Sequence, residues 1–260
     1  MRNSTHPCQD ALRYRYPPNE YPHFNAAYGQ YYYLNPGQAV FKIPDNVPDD
    51  LAGPANCALA QVIAAFRRGN VGLGDYLVIQ GAGGLGLNGV AVAREMGVEQ
   101  IIVIDGIESR LELARAFGAD ETMLLAEYPR PEDRIARVRE LTDGWGADAV
   151  LEVTGLAAVV PEGIAMLAQG GKYLEVGNIN QGHTVAIDPS ALVHGGKTLL
   201  GIMWYEPICL QLALEMLSRQ GDQYPFGRIL SHHYPLTDID QAFADQDSGN
   251  LGANAIVGGS

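Results

Sequence analysis

The chain has 260 residues, 47% hydrophobic and 18% charged, and 30 acidic side chains against 17 basic ones give a formal charge of −13. That length allows one large domain or two small ones around a buried core, and the acidity argues against a nucleic-acid partner, because phosphate backbones are met by basic stripes. No segment offers the roughly 20 consecutive apolar residues that crossing a bilayer takes, so no membrane partner is expected. The N-terminal MRNSTHPCQD has no apolar core of a signal peptide. Cys8, Cys57 and Cys209 are far apart and form no CxxC pair, which suits a reducing, cytoplasmic compartment better than a disulfide framework.

Residues 1 to about 30 are rich in Tyr, Pro and Asn and predict an extended loop pinned by aromatic contacts to something else. QYYYL and AVFKI, split by Asn35-Pro36-Gly37, read as two strands with Tyr31 and Tyr33 on one face and Tyr32 on the other. Packing is the commoner role of such a stripe, an aromatic substrate wall the rarer one. Leu51 to Arg68 reads as one helix stopped by Gly69.

The stretch from Asp75 to Asp105 is the most informative. An apolar run, Tyr76 to Ile79, enters Gly81-Ala82-Gly83-Gly84-Leu85-Gly86; small and apolar residues follow to Gly97, and a second apolar run, Ile101 to Ile104, closes on Asp105. This is strand, glycine turn, helix, strand, acid, the order of a dinucleotide-binding fingerprint. Gly81 permits the tight turn, Gly83 lets backbone approach a pyrophosphate, and Gly86 lets the helix sit close on the strand. The phosphates would lie at the helix N-terminus, where unpaired N–H groups and the helix dipole favour an anion. Asp105 follows Gly86 by 19 residues, where a carboxylate accepts from adenosine ribose hydroxyls and repels a 2′-phosphate. The expected cofactor is NAD.

Strands and helices then alternate: helices over Ser109–Phe117, Glu132–Leu141 (a charged surface helix) and Pro161–Ala168 (stopped by Gly170-Gly171), and strands over Ala149–Val153, Tyr173–Val176 and Thr198–Met203. The order predicts an α/β fold with a doubly wound, six-stranded parallel sheet. Beyond it come a helix over Pro207–Arg219, a strand over Arg228–Tyr234, a short helix over Asp238–Ala244 and a last strand over Asn254–Val257. The division expected is a dinucleotide-binding domain over residues 58–205 and a reduced second domain built from both chain ends, 1–57 and 206–260.

The chain resembles the zinc-type medium-chain alcohol dehydrogenase family in AxxCALA around Cys57, GAGGLG at 81–86, VID ending at Asp105, Arg110, FGAD at 117–120, LEVTG at 151–155, GKYLEVG at 171–177 and HHYPLTDIDQAF at 232–243. The resemblance implies that Gly84 and Leu85 present backbone to the pyrophosphate, that Asp105 holds the ribose, and that Arg110 lies near it. It places Val153 and Thr154 beside the nicotinamide half, with Val176, Asn178, Met203 and Trp204 around the nicotinamide itself. Members of that family are longer at the N-terminus, so the resemblance is to a truncated form without most of the zinc lobe. Cys57 stands where the family has its last catalytic zinc ligand and Cys8 where a structural-zinc cysteine would stand. One cysteine per site falls short of the three or four ligands zinc takes, so no metal is expected, and Cys57 is read as buried like a small hydrophobe. The weaker reading pairs Cys57 with His23 or His194 at a metal.

Two finer departures concern the cofactor. Gln61 replaces the family's usual hydroxyl residue against the nicotinamide, and GNLGANAIVG has no cation where relatives place one over the pyrophosphate. Hydride transfer without zinc needs a side-chain acid or base. Tyr205 and His194 are the candidates, with Tyr28 and His23 behind them. The expected activity is NAD(H)-dependent oxidation or reduction of a small alcohol or carbonyl substrate; the alternative is a nucleotide-binding module that does non-redox work or is completed by a partner chain. Thr198–Met203, an edge strand, suggests a homodimer.

Overall fold

The computed structural model describes Tyr28 and residues 31–34, 37–247 and 254–258. Six strands carry the fold: β1 (Tyr76–Gln80), β2 (Gln100–Asp105), β3 (Glu121–Leu124), β4 (Ala147–Glu152), β5 (Leu167–Glu175) and β6 (Thr198–Gly201). All neighbours are parallel and the order is β3-β2-β1-β4-β5-β6. The chain therefore winds outward in two directions from the β1–β4 pair, and a crevice opens beyond the C-terminal ends of those strands. Leu77, Val78 and Ile79 are fully buried, as a strand covered on both faces requires.

One face packs Ile79, Leu151 and Leu174 against α2 (Ala60–Gly69), α3 (Gly84–Glu95) and α8 (Pro207–Gln220). The other packs Val78, Val150 and Tyr173 against α5 (Pro131–Leu141), α6 (Val160–Met166) and α7 (Pro189–Gly195). α4 (Glu108–Ala116) covers β2 and β3 on the first face, through Leu111 and Ala114. The same core continues into Val47 and Leu59 near one chain end and Phe226 and Ile229 near the other. A two-stranded parallel sheet, β7 (Leu230–Pro235) with β8 (Asn254–Gly258), and α9 (Ile239–Asp247) stand beyond it.

Several expectations are corrected. Residues 31–34 and 38–43 form no strand, and Tyr31, Tyr32 and Tyr33 are all exposed; with no neighbouring strand to bond their backbone, alternation alone does not make a sheet. The expected single helix from Leu51 is broken. α1 (Asp49–Pro54) passes into a π-turn over Ala55–Leu59 before α2, and Cys57 departs from helical geometry at φ −128° and ψ 69°. Pro54 lies at that break, where a missing N–H weakens the helical ladder. Gly170-Gly171 do not stop α6; they lie inside β5, which begins at Leu167. Gly171 is needed there because a Cβ would meet the Ala147 and Ala168 carbonyls at 3.0 Å. β3 and α7 were not expected from the sequence: four residues and seven residues are too short to show a period.

Candidate functional site: two clefts at the strand ends

The glycine turn is positioned by close approach. Gly81 has φ +106° and donates its N–H to Ile104 O at 2.8 Å, tying the turn to β2. A Cβ on Gly86 would stand 1.9 Å from Gly81 O, so only glycine lets α3 start this close to β1. Around a Cβ on Gly83 there would be open space; this is the one glycine of the three whose missing side chain leaves room for a ligand rather than for the protein.

Asp105 is nearly buried at the end of β2, with 9% of its surface exposed. Its Oδ2 accepts from Ala82 N–H at 2.7 Å and its Oδ1 from Ile107 N–H at 2.9 Å. The carboxylate thus locks the glycine turn to the β2 end, and its remaining lone pairs are available to hydroxyl donors. The cleft above it has a volume of about 390 Å³ and is lined by Gly81, Gly83, Asp105, Arg110, Val153 and Thr154 among others. Its floor is a buried ion pair. Arg134 donates from Nε and Nη2 to Glu162 at 2.7 and 2.5 Å, and from Nη1 to Tyr128 O at 2.5 Å. The fork geometry and a third acceptor satisfy both partners. The helix expected as a charged surface element therefore buries one of its charges: Arg134 is 7% exposed.

A second cleft, of about 320 Å³, opens at the ends of β5 and β6 between Arg68, Glu175, Val176, Asn178, Met203 and Trp204. Gln61 is buried and donates to Ile202 O at 2.9 Å, bracing the end of β6. Met203 and Trp204 are both exposed. Between the two clefts lies a carboxyl pair, Glu152 and Glu175, at paired positions of β4 and β5. Glu152 is fully buried; its Oε1 accepts from Thr154 N–H at 2.6 Å, Thr154 Oγ1 at 2.5 Å and Gly155 N–H at 2.9 Å. Burial and the hydrogen bond to Glu152 push the Glu175 carboxyl up to about 7.

The structure divides the expected cofactor residues between the two clefts. Gly81, Gly83, Asp105, Arg110, Val153 and Thr154 line the first cleft, Val176, Asn178, Met203 and Trp204 line the second, and Gly84, Leu85 and Gly86 form the first turn of α3 beside them. The two candidate acids are placed differently. Tyr205 packs against the core on the α2–α8 side, its hydroxyl donating to Asn56 O at 2.5 Å with Asn56 Oδ1 also in contact, and burial pushes its phenol up to about 12. His194 is exposed in the last turn of α7, against the other face, and neither it nor Tyr205 lines either cleft. Tyr28 is exposed, with its ring edge on Phe243. His23 and Cys8 lie outside the described residues.

Cys57, expected to be buried, is exposed, because the π-turn rotates it off the inward stripe; Cys209 is the buried cysteine. Among the described residues no group of three or more His, Cys, Asp or Glu has the arrangement to hold a metal ion. Glu152, Glu175, Arg134 and Glu162 were not singled out from the sequence. The available signal was an acid closing an apolar strand in each of AVLEV and KYLEVG.

Comparison with known proteins agrees with this geometry. The family described as zinc-binding dehydrogenase matches residues 84–219. The 5-exo-hydroxycamphor dehydrogenase of Pseudomonas putida is 31% identical over 226 residues, 86% of this chain and 62% of that protein. The erythritol/L-threitol dehydrogenase of Mycolicibacterium smegmatis is 30% identical over 212 residues, 80% of this chain and 55% of that protein. Among solved structures, an alcohol dehydrogenase from Thermotoga maritima superposes with a TM-score of 0.83 at 32% identity, over 90% of this chain and 64% of the other. The chain thus spans about three fifths of the length of these relatives. The doubly wound sheet, the fixed glycine turn and these matches together make the chain a member of the zinc-binding dehydrogenase family.

Proposed function

We propose that the chain is an NAD(H)-dependent oxidoreductase acting on a small alcohol or carbonyl substrate without catalytic zinc. The observation that carries this reading is Asp105, a carboxylate fixed by two backbone N–H groups in a cleft also lined by Gly81 and Gly83. Asp105 would hold the adenosine ribose and discriminate against a 2′-phosphate, with Arg110 beside it, and the first turn of α3 would face the pyrophosphate. When bound, the nicotinamide supplies or accepts the hydride. Val176, Asn178, Met203 and Trp204 would position it in the second cleft. The Tyr205 hydroxyl, which donates to Asn56 O in the free chain, is the proposed donor to the substrate oxygen once that bond is exchanged. His194 is the other candidate, and acts only if a substrate reaches the end of α7.

A second reading, a nucleotide-binding module that does non-redox work or is completed by a partner chain, is favoured by the exposure of Met203 and Trp204, at 52% and 39%. We propose a homodimer through β6, an edge strand with Thr198 and Leu199 exposed, in a cytoplasmic protein with no membrane or nucleic-acid partner. The discriminating experiment measures NADH absorbance with a panel of alcohols and carbonyls, alongside native mass spectrometry. Turnover with NADH, no stoichiometric metal and a kcat at least about tenfold lower in Tyr205→Phe support the first reading. Retained nucleotide without turnover supports the second.

A further inference from the structure

We propose that Glu175 is a positioning residue of the dinucleotide site, sharing one proton with Glu152 so that Asn178 and the Thr154–Gly155 turn are held where a bound nucleotide meets them. The inference rests on the dinucleotide reading above and deepens it.

The two carboxyls converge. Asn178 Nδ2 donates to Glu152 Oε2 at 3.1 Å and to Glu175 Oε1 at 3.2 Å, and Asn178 N–H donates to the same Glu175 oxygen at 3.0 Å. The two side chains stand at paired positions of β4 and β5 with an oxygen of each on the same Asn178 Nδ2, and two carboxyls held this close avoid mutual repulsion by keeping one proton between them. Glu152 already serves as acceptor to three donors at one oxygen, so the shared proton is carried by Glu175. A Cβ on Gly177 would stand 2.6 Å from Glu152 Oε2, so glycine at that position leaves the room the pair occupies.

Two of the three residues that donate to this pair line a cleft, Thr154 the first and Asn178 the second, and Gly155 follows Thr154 directly. Removing the shared proton puts two negative charges on one amide and drives the rim residues apart. Few other charges oppose this. Glu152 is the one that acts on Glu175 from β4. On β5 itself Tyr173 is buried with its hydroxyl on Gln80, and Lys172 is held by Gly69 O. From α6, Glu162 is paired with Arg134; from α2, Arg68 lines the same cleft with its guanidinium on Glu206 while Arg67 lies one residue before it; from α7 comes His194. The β6 residues Thr198–Gly201 carry no titratable side chain.

The sign follows. Burial and Glu152 hold the Glu175 proton up to about 7, so the pair is intact in mild acid and loses its proton as pH rises through neutrality. Nucleotide affinity should fall over that range by on the order of tenfold between pH 6 and pH 8.5. The test is NADH binding to the purified full chain, followed by fluorescence across that range, for the native protein and Glu175→Gln. The amide keeps the shape and a donor but does not ionise. The proposal expects the pH dependence to vanish in the variant, with affinity at high pH raised to the low-pH level. An unchanged pH profile in Glu175→Gln overturns the inference and leaves the dinucleotide reading standing. No NADH binding by the native chain at any pH overturns both. Carbon-13 glutamate NMR of the native chain provides a readout if the variant does not fold: one carboxyl should titrate near neutrality, and its absence sinks the proposal.

Discussion

The two clefts are built by different means. The first is bounded by backbone: Gly81 through its positive φ and Gly86 through close approach fix its shape, Gly83 leaves space open beside them, and Asp105 fixes the turn through two N–H groups. The second is bounded by side chains, two exposed apolar ones and Glu175, one member of a carboxyl pair proposed to share a proton. A backbone-built site tolerates solution conditions and is intolerant of any added atom. A side-chain-built site tolerates small changes in shape and responds to pH.

The comparison breaks most severely at the floor of the first cleft. Glu162→Ala leaves Arg134 buried without its partner, and the expected loss is about 3–5 kcal/mol in chemical denaturation. A loss below 1 kcal/mol would show that the Arg134 guanidinium reaches water on its own. Next comes Gly86→Ala. Its Cβ would meet the Gly81 carbonyl, and the expected destabilisation is about 1–3 kcal/mol with loss of NADH retention; retention at native affinity would refute the claim that α3 must sit this close. Tyr205→Phe removes one hydrogen bond to Asn56 and should cost only about 1 kcal/mol in stability, so a kcat effect much larger than that is chemical rather than structural. At the small end, Lys42→Ala breaks a pair whose members are 82% and 88% exposed, and the midpoint should move by less than about 0.5 kcal/mol.

A pH series sharpens the contrast. The folded chain holds the Glu175 proton more tightly than the unfolded chain does, so the folded state binds more protons once pH exceeds the ordinary glutamate range. The stability this contributes is full in acid, declines as pH rises toward about 7 and is gone above it. Urea midpoints at pH 5 and pH 8, taken for the native chain and Glu175→Gln, should differ in the native chain by more than in the variant. An equal difference in both would place the pH dependence elsewhere.

What the sequence determined by itself is local. A turn with three glycines between two apolar strands and an acid at the next strand end states its geometry within some thirty residues, because the constraints are φ angles and contacts between near neighbours in the chain. The alternation of strands and helices, and hence the sheet, is legible for the same reason. Elements that depend on distant residues are not. The tyrosines at 31–33 alternate like a strand, but a strand exists only against a partner. Cys57 keeps the spacing of an inward residue, yet the break after Pro54 turns it outward. Arg134 carries the charge of a surface residue and is buried because Glu162 waits 28 positions away. Glu152 and Glu175 are 23 residues apart and acquire their shared proton only when β4 and β5 align them in register. The fold and the glycine-turn cleft are written locally; the pairing that assembles the buried charged groups is a property of the closed sheet, because burial and Coulomb interaction act between neighbours in space rather than neighbours in sequence.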